Sequence, residues 1–337
     1  MKNKNILIAG AGGFIGGHLT KKLLNLGANI TAIDIKPLHL WFQKFKGPKN
    51  ISSDLKLLSN CMKYTKNIDF IFNLACNMGG MGFIENNKAE CMISVLINAH
   101  LLSAAKKNKI KKYFFSSSAC VYNTNLQKKS FIAGLRESDA YPALPEDGYG
   151  WEKLFSERMC RHFNEDFNLD ISIARFHNIY GPFGTYDGGR EKAPAALCRK
   201  ISQAKLNKKY EIDIWGDGKQ TRSFLYIDDC IEGVLNLFET NYNQPLNIGS
   251  EEQVSINELI KKIEKISKIP KLKKTYNLDM PKGVKGRSSD NKNAFKLLKW
   301  KYKSSLDEGL KFTYDWIEDN LINNNQKNMK YTISKII

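Results

Sequence analysis

A glycine-rich turn near the N-terminus constrains the fold of this chain more than any other stretch. Residues 5–9 form an apolar run typical of a buried parallel strand, and the turn follows directly. Leucines at helical spacing then predict a helix that ends near Gly27. Residues 29–33 form a second apolar run that ends at Asp34. Strand, glycine turn, helix, strand and acid therefore occur in the order of a βαβ unit.

The turn predicts a binding site for a dinucleotide. Its glycines let the backbone approach a pyrophosphate, and the following helix presents its N-terminal N–H groups and positive dipole. Asp34 follows Gly16 by 18 residues, which is typical of an acid that binds ribose hydroxyls. Its charge would repel a 2′-phosphate, so we expect NAD rather than NADP; the alternative is a tight turn beside an ordinary acid. The predicted cofactor contacts of this unit are Gly10, Gly13, Phe14, Ile15, Gly16 and Asp34.

Apolar runs and helical patterns continue to alternate beyond this unit. Residues 69–75, 112–118 and 171–176 are predicted strands, and residues 85–107 are predicted to form one long helix. Strands that alternate with helices indicate an α/β fold with a Rossmann-type, doubly wound parallel sheet. Ligands of such sheets bind at the carboxyl ends of the strands, so functional residues are expected there.

The chain changes character after about residue 177, where loops become frequent. We predict an NAD-binding Rossmann domain over residues 1–176 and 227–250, a smaller interleaved α/β substrate-binding cap over residues 177–226 and 251–320, and a loose, polar tail over residues 321–337. With 337 residues, 42% of them hydrophobic, the chain can bury a core of this size.

Composition limits the classes of function. The net charge is +18, but the lysines are scattered and no zinc-finger or RNA-binding pattern occurs, so no nucleic-acid partner is expected. No apolar run approaches the length of a membrane span, so no membrane partner is expected either. The seven cysteines are odd in number and widely spaced, which favours a reducing compartment such as the cytoplasm over disulfides or a metal site.

Tyr149 and Lys153 are candidates for proton transfer. Their four-residue spacing puts both side chains on one face of a helix. An ammonium group near a phenol favours the phenolate, which is a base strong enough to take the proton of a sugar hydroxyl. Because Tyr-x-x-x-Lys also occurs by chance, an exposed helix pair is the alternative for these two residues taken alone.

Ser118, at the end of the predicted strand before that helix, completes a set of three. The serine, tyrosine and lysine together resemble the catalytic set of the short-chain dehydrogenases/reductases. That resemblance implies that Tyr149 moves the hydroxyl proton and that Ser118 hydrogen-bonds the substrate oxygen. It also implies that Lys153 lowers the pKa of the tyrosine and, like Tyr149, contacts the cofactor.

Several longer stretches resemble one subfamily, the GDP-mannose 3,5-epimerases. The most specific are Met-Gly-Gly-Met-Gly-Phe at 78–83 and Gly-Gly-Arg-Glu-Lys-Ala-Pro at 188–194, and the resemblance covers about residues 5–317. It implies an isomerase of carbohydrate biosynthesis that oxidises GDP-mannose at C4, inverts C3 and C5, and reduces C4 again. The implied products are GDP-L-galactose and GDP-L-gulose, and the implied assembly is a homodimer.

The resemblance assigns the inversion to Cys120 and Lys192. A ketone at C4 acidifies the hydrogens at C3 and C5, and inversion needs two acid/base groups on opposite faces of the ring. Cysteine and lysine both have pKa values that a site can move toward neutrality. Arg190, close to Lys192 in sequence, is expected to favour the neutral amine. The alternatives are a small buried cysteine and a solvated loop lysine.

Further contacts follow from the same resemblance. It implies that Asp54 contacts NAD. Arg222 and Arg287 also suit a diphosphate, because a guanidinium group binds one bidentately. The complete set of predicted substrate contacts is Gly80, Ser118, Cys120, Asn178, Glu191, Lys192, Ala193, Lys200, Gln220, Thr221, Arg222 and Arg287.

Some positions depart from the subfamily, and other functions stay open. Cys76-Asn77 stands where the subfamily usually has Ala-Asp, which leaves the finer sugar preference undecided. A 4-epimerase would need only the serine, tyrosine and lysine. A 4,6-dehydratase would place an Asp-Glu pair where Ala119-Cys120 stands. An NAD-binding sensor or scaffold would not need the catalytic set at all.

Overall fold

The computed structural model describes residues 1–323, and the elements below belong to that range. Its strands are β1 (Asn5–Ala9), β2 (Asn29–Asp34), β3 (Lys49–Ser52), β4 (Phe70–Asn73), β5 (Lys112–Ser118), β6 (Asp170–Phe176), β7 (Ile179–Tyr180), β8 (Glu211–Trp215), β9 (Thr221–Ser223), β10 (Leu225–Tyr226), β11 (Pro245–Ile248), β12 (Gln253–Ser255), β13 (Lys273–Asn277) and β14 (Gly286–Arg287). Its helices are α1 (Phe14–Asn25), α2 (Leu58–Tyr64), α3 (Met81–Asn86), α4 (Lys88–Met92), α5 (Val95–Lys107), α6 (Tyr149–Phe167), α7 (Ala193–Leu206), α8 (Ile227–Phe238), α9 (Ile256–Ser267), α10 (Lys292–Leu298) and α11 (Leu306–Asn323).

A seven-stranded sheet in the order β3-β2-β1-β4-β5-β6-β11 forms the centre, and all its paired strands run parallel. The predicted parallel, doubly wound sheet is confirmed. From β1 the chain builds outward through β2 to β3, and it then returns to place β4 on the other side of β1. Such a reversal opens a crevice at the carboxyl ends of β1 and β4, and ligands bind there in open α/β sheets.

The alternation of side chains along β1 explains why helices cover both faces of the sheet. Ile6 and Ile8 pack into a cluster with residues of α1 and α8, whereas Leu7 and Ala9 pack into a cluster with residues of α2, α5 and α6. A strand that buries both faces carries a continuous apolar run, as β1 does. Helices therefore cover both faces of the sheet because the strands are apolar on both faces.

Three small sheets lie outside the central one. They pair β7 with β10, β8 with β13, and β9 with both β12 and β14. The β9–β14 register places Arg222 beside Arg287, although 65 positions separate them in the sequence. The predicted split into a cofactor domain and a substrate cap stays a prediction.

The prediction of one helix over residues 85–107 is wrong. The structure has α3, α4 and α5 in succession, and the first break falls at Asn87, whose backbone leaves the helical region (φ −133°, ψ 47°). The Asn87 side chain donates to the Phe83 carbonyl at 2.8 Å, which satisfies an acceptor freed by the break. At the other end, α11 continues to Asn323, three residues into the predicted tail; residues 324–337 lie outside the described residues.

Within residues 1–323, no helix combines the length and apolarity needed to cross a bilayer. The same range holds no group of three His, Cys, Asp or Glu side chains arranged to bind a metal ion. All seven cysteines are free thiols, and Cys76 is the least buried of them.

Candidate active site

A cavity of about 540 Å³ opens at the carboxyl ends of the central strands. The glycine turn forms one wall, because α1 begins at Phe14 directly after β1 and the turn. A Cβ atom at Gly16 would lie 2.1 Å from the Gly10 carbonyl oxygen, so only glycine permits this close packing of helix and turn. Every predicted cofactor residue except Lys153 lines the cavity. The lining residues of this set are Gly10, Gly13, Phe14, Ile15, Gly16, Asp34, Asp54 and Tyr149. The size, backbone cradle and acid of this cavity fit a dinucleotide.

Asp34 ends β2 at the rim of this cavity. Its Oδ1 atom accepts the Lys36 backbone N–H at 3.0 Å, and the Lys36 ammonium donates to the Gly12 carbonyl at 3.3 Å. Burial raises the pKa of Asp34, while the charge of Lys36 opposes that rise. Lys36 also lines the cavity and was not identified from the sequence. Asp54 lies nearby and accepts the Lys56 backbone N–H at 2.8 Å.

Ser118, Tyr149 and Lys153 come together at the inner end of the cavity. β5 ends at Ser118, and α6 begins at Tyr149, whose phenol hydrogen-bonds the serine. The Lys153 ammonium donates to the Ser116 carbonyl at 3.0 Å and lies 5.7 Å from the centre of the Tyr149 ring. The structure thus brings the three residues together, although Ser118 and Lys153 are 35 positions apart in the sequence.

The expected depression of the Tyr149 pKa is absent in this structure. Burial raises the pKa of Tyr149 well above its ordinary value near 10, and the Ser118 hydrogen bond opposes only part of that rise. The Lys153 ammonium group also interacts with the Glu152 carboxylate, 3.8 Å away, and donates a hydrogen bond to the Ser116 carbonyl. The phenol is therefore protonated here, and the lysine alone does not convert it into a base.

Cys76 is a neighbour that sequence reasoning did not place in the site. Its thiol lines the cavity and hydrogen-bonds both Tyr149 and Lys153. Burial raises the pKa of Cys76, so it stays a thiol beside Tyr149 and Lys153. The signal that could have found it was the departure at Cys76-Asn77 from the subfamily pattern.

Cys120 lies in a short 3-10 turn that follows β5. Its backbone N–H donates to Ser118 Oγ at 3.2 Å, and its sulfur accepts from Arg287 Nη1 at 3.5 Å. The side chain is 8% exposed. Burial raises the pKa of Cys120 to about 12; the Glu146 carboxylate adds to the rise and Arg287 opposes it.

Lys192 immediately precedes α7 and lines the same end of the cavity as Ser118 and Tyr149. Burial lowers the pKa of Lys192, the neighbouring thiols Cys120 and Cys76 oppose this effect, and Arg287 adds to it. The sequence-based interpretation gave that last role to Arg190. The Arg190 guanidinium lies instead over the Phe83 ring, 3.9 Å from its centre, and donates to Asn77 Oδ1 at 2.8 Å.

The two predicted diphosphate ligands differ in their surroundings. Arg287 is committed to Glu146, with 2.9 Å between Nη2 and Oε1, and to Gln127 Oε1 at 2.7 Å. Arg222 donates to two backbone carbonyls, those of Thr221 and Lys282. Its pKa is lowered to about 10 by burial and by the charge of Arg287. Two arginines therefore lie beside Cys120, and the Glu146 carboxylate neutralises the charge of one of them, Arg287.

The other predicted substrate residues lie near α3, near β8 and around β9. The Gly80 backbone N–H donates to the Arg190 carbonyl at 3.1 Å. This hydrogen bond holds the loop that carries Glu191, Lys192 and Ala193 next to the start of α3. Lys200 and Gln220 donate to carbonyls of β8 at 2.8 and 3.0 Å.

Gln220, Thr221 and Asn178 lie around β9. Gln220 Oε1 is buried, with no hydrogen-bond partner within residues 1–323. Thr221 donates to the Ser130 carbonyl, and Asn178 donates to the Ser223 carbonyl at 2.9 Å. These two side chains are therefore already satisfied within the protein.

Comparison with known proteins shows the family to which this chain belongs. The family model described as "NAD dependent epimerase/dehydratase family" matches residues 6–249. GDP-mannose 3,5-epimerase of Arabidopsis thaliana is 44% identical over 322 residues, which cover 95% of this chain and 84% of that relative. GDP-mannose 3,5-epimerase 1 of Oryza sativa subsp. indica is also 44% identical, over 94% of this chain and 82% of that relative.

Solved structures agree in fold. UDP-glucuronic acid 4-epimerase of Bacillus cereus, in complex with UDP-glucuronic acid and NAD, is 30% identical with a TM-score of 0.80, covering 94% of this chain and 99% of that one. UDP-glucose 4-epimerase of Thermotoga maritima has a TM-score of 0.84 at 23% identity, with the same coverage, and shares the fold. The glycine turn, the Ser118–Tyr149–Lys153 cluster and the relatives agree: this chain belongs to the NAD dependent epimerase/dehydratase family.

Proposed function

We propose that this chain is a GDP-mannose 3,5-epimerase that converts GDP-mannose into GDP-L-galactose, and into GDP-L-gulose when C5 alone inverts. The observation that carries the proposal is the position of Cys120 and Lys192. Lys192 lines the cavity together with Ser118 and Tyr149, and the Cys120 backbone N–H is bonded to Ser118 Oγ at 3.2 Å, so an amine and a thiol lie near Ser118, where a 4-epimerase has no use for them. The 44% identity to GDP-mannose 3,5-epimerases supports the same conclusion.

Tyr149, Ser118 and Lys153 would act at C4. Bound NAD would supply positive charge near the phenol, accept the C4 hydride and return it. Ser118 would hydrogen-bond the C4 oxygen and orient it, and Tyr149 would take its proton and later restore it. Lys153, fixed by the Ser116 carbonyl, would stabilise the phenolate that forms.

Cys120 and Lys192 would act at C3 and C5. With a ketone at C4, one of them removes the hydrogen of the neighbouring carbon and the other delivers a proton to the opposite face. Arg222, adjacent to Arg287 across β9 and β14, would bind the diphosphate and so fix the ring between the two groups. Gln220, with its buried free oxygen, would contribute a further polar contact.

A comparison of substrates tests the proposed function directly. Purified protein is incubated with GDP-mannose and, separately, with UDP-glucose, and the products are identified by NMR. We expect GDP-L-galactose and GDP-L-gulose from the first and no conversion of the second. Inversion at C4 of UDP-glucose would favour a 4-epimerase, and loss of water from GDP-mannose would favour a 4,6-dehydratase.

Asp34 offers a test of the cofactor assignment. Asp34→Ala removes the acceptor proposed for the ribose hydroxyls and the charge that repels a 2′-phosphate. We expect NAD affinity to fall by about tenfold or more, while NADP affinity falls less or rises, because one lost charge-assisted hydrogen bond costs about 1.5–3 kcal/mol. Calorimetric titration with both dinucleotides measures this; an equal loss for both would contradict the role of the charge.

We also propose that the chain forms a homodimer through α4, α5 and α6. Met92 on α4, Ile93 directly after it, Leu96 on α5, and Trp151 and Phe155 on α6 are exposed, and α6 packs against both α4 and α5. Clustered exposed apolar side chains are typical of an interface.

We also propose a cytoplasmic location, because the seven scattered cysteines are typical of a reducing compartment.

Charge placed on this surface should separate the protomers. In Leu96→Glu/Trp151→Glu we expect a monomer by sedimentation, because an interface cannot bury two unpaired carboxylates without a cost of several kcal/mol. Leu297→Glu is the control, since Leu297 on α10 is similarly exposed, at 42% against 41% for Leu96. A monomeric parent protein, or a dimeric double variant, would argue against this surface.

A further inference from the structure

Arg190 lines the cofactor cavity, but the proposed chemistry gives it no role. It lies on the loop that precedes α7, three residues before that helix begins at Ala193. Its guanidinium group keeps a positive charge at every physiological pH. A dinucleotide is anionic at its diphosphate, and an arginine can bind two phosphate oxygens at once. The position and chemistry of Arg190 therefore suit the anionic part of the cofactor.

Three contacts hold the Arg190 guanidinium group at the cavity wall. Its Nη1 atom donates to Asn77 Oδ1 at 2.8 Å and to the Met78 carbonyl at 3.2 Å. The group also lies over the Phe83 ring, 3.9 Å from its centre. Asn77 is itself held in place, because its backbone N–H donates to Ser94 Oγ at 2.8 Å. All five of these residues line the cavity, so the charge has a defined position there.

The groups that hold Arg190 in these contacts are neutral. Asn77 supplies an amide oxygen, Met78 a carbonyl and Phe83 an aromatic ring. At position 77 the subfamily that the sequence resembles usually has Asp, whose carboxylate would form an ion pair with the guanidinium group. Asn77 accepts the same hydrogen bond without an ion pair. These contacts therefore orient the guanidinium group without neutralising its charge.

A second cation, Lys36, lines the same cavity. It lies two residues after β2, and its ammonium group donates to the Gly12 carbonyl of the glycine turn at 3.3 Å. Burial lowers the pKa of Lys36, Asp34 opposes this effect, and the charge of Arg190 adds to it. The two cations therefore repel each other, and an anion bound between them would relieve the repulsion. The glycine turn, where Lys36 binds, is the place expected for the diphosphate of a dinucleotide.

The loop before α7 is attached to the cavity wall at Arg190. Gly188 and Gly189 precede it with positive φ angles of 90° and 85°, and a Cβ atom at Gly189 would meet no other atom of residues 1–323 within 4 Å. Arg190 is packed instead: a Cβ atom at Gly79 would lie 3.1 Å from its Cα atom, and the Gly80 N–H donates to its carbonyl. A ligand bound to Arg190 would therefore also hold this loop.

We propose that Arg190 binds the diphosphate of NAD and thereby ties the loop before α7 to the bound cofactor. The inference rests on the cofactor of the family and holds whichever sugar nucleotide is the substrate. Lys36 and the glycine turn would meet the same diphosphate from the side of β1 and β2. An epimerase returns the hydride that it removes, so a contact that slows release of the reduced cofactor protects the cycle.

Binding of cofactor fragments tests this inference without turnover. ADP-ribose contains the diphosphate between its two riboses, whereas adenosine has only the adenine and one ribose. Both are titrated by calorimetry into protein from which bound NAD has been removed. Arg190→Met keeps an unbranched apolar side chain over Phe83 but removes the charge. We expect its affinity for ADP-ribose to fall about tenfold to a hundredfold, as for a lost hydrogen bond to a charged group, and its affinity for adenosine to change by less than about twofold.

Two variants separate the charge of Arg190 from the order of its loop. Arg190→Lys keeps the charge without the bidentate geometry, so its loss should be smaller, about threefold to tenfold. Arg199→Met is the matched control, because Arg199 does not line the cavity but holds the same loop from α7, through Glu191 at 3.3 Å and the Tyr186 carbonyl at 2.7 Å. Its affinity for ADP-ribose should equal that of the parent. An equal loss in Arg190→Met and Arg199→Met would overturn the proposal.

Asn77→Asp distinguishes binding of the diphosphate from packing of the loop. A carboxylate at position 77 would hold Arg190 more firmly, but it would also neutralise the guanidinium charge and repel a diphosphate. We expect the affinity for ADP-ribose to fall about fivefold to tenfold, while thermal unfolding shows a protein at least as stable as the parent. If Arg190 only packs the loop, the affinity stays at the parental value or rises, and that result would overturn the proposal.

Two results of the first titration would also contradict the role of Arg190. One is an affinity of Arg190→Met for ADP-ribose equal to that of the parent, and the other is an equal loss for ADP-ribose and adenosine. Failure of the parent protein to bind ADP-ribose would contradict the cofactor assignment, and this inference with it.

Discussion

Replacement of Tyr149 by phenylalanine is expected to lower the rate of epimerisation by about a thousandfold, within the range of 10²–10⁴ for a lost general acid–base group. The variant should also lose deuterium exchange at C3 and C5, because no hydrogen there becomes acidic until C4 is oxidised. Tyr149 is 5% exposed and its phenol contacts Ser118 and Cys76, so the ring itself should stay in place. Steady-state kinetics and NMR of the recovered substrate measure both effects.

Tyr113→Phe is the matched control for this change. Tyr113 is also buried, and its hydroxyl bonds Asn98 and Asn73 at 2.8 and 2.9 Å, away from the proton-transfer groups. Its loss should cost about 1–2 kcal/mol of unfolding free energy and leave turnover close to that of the parent. If Tyr149→Phe retained more than about a tenth of the parental rate, proton transfer by Tyr149 would be ruled out as the main route.

Replacement of Lys192 by methionine is expected to abolish inversion at both carbons, again by about a thousandfold or more. Oxidation at C4 should continue, because Tyr149, Ser118 and Lys153 are intact. Addition of GDP-mannose should therefore produce the absorbance of reduced cofactor without epimerised product. Methionine keeps a similar length and apolar character, so the half-buried position before α7 stays filled.

Lys112→Met controls for the loss of a buried lysine. Lys112 begins β5, at the end of the strand opposite Ser118, and pairs with Asp170 at 3.0 Å. This variant should lose stability but epimerise normally. Inversion at C3 and C5 that survived in Lys192→Met would remove Lys192 from the chemistry and would leave the 3,5-epimerase assignment without its second acid/base group.

The part of the site formed by local sequence was predictable. β1, the glycine turn, α1 and Asp34 follow one another within about thirty residues, so their order and spacing determine their arrangement. Tyr149 and Lys153 are neighbours on one helix for the same reason. The parallel sheet was therefore correctly predicted from sequence patterns, and the predicted cofactor residues other than Lys153 line one cavity.

Contacts between distant segments were not predictable in this way. Cys120, Glu146 and Arg287 meet only because β5, α6 and β14 are brought together by the complete fold. In the sequence alone, nothing distinguishes Glu146 from the other acidic residues, which number 34 in all. Arg287 was expected to bind a ligand rather than a carboxylate. The break at Asn87 and the raised pKa of Tyr149 have the same origin, since both depend on what surrounds the residue in space.

Solvent isotope exchange by the parent protein tests the central claim most directly. GDP-mannose is incubated with the protein in heavy water, and the sugar carbons of substrate and products are examined by NMR. We expect deuterium at both C3 and C5, together with GDP-L-galactose and GDP-L-gulose, and none at C4. Inversion at C4 without deuterium at either neighbouring carbon, or loss of water from the sugar, would contradict it.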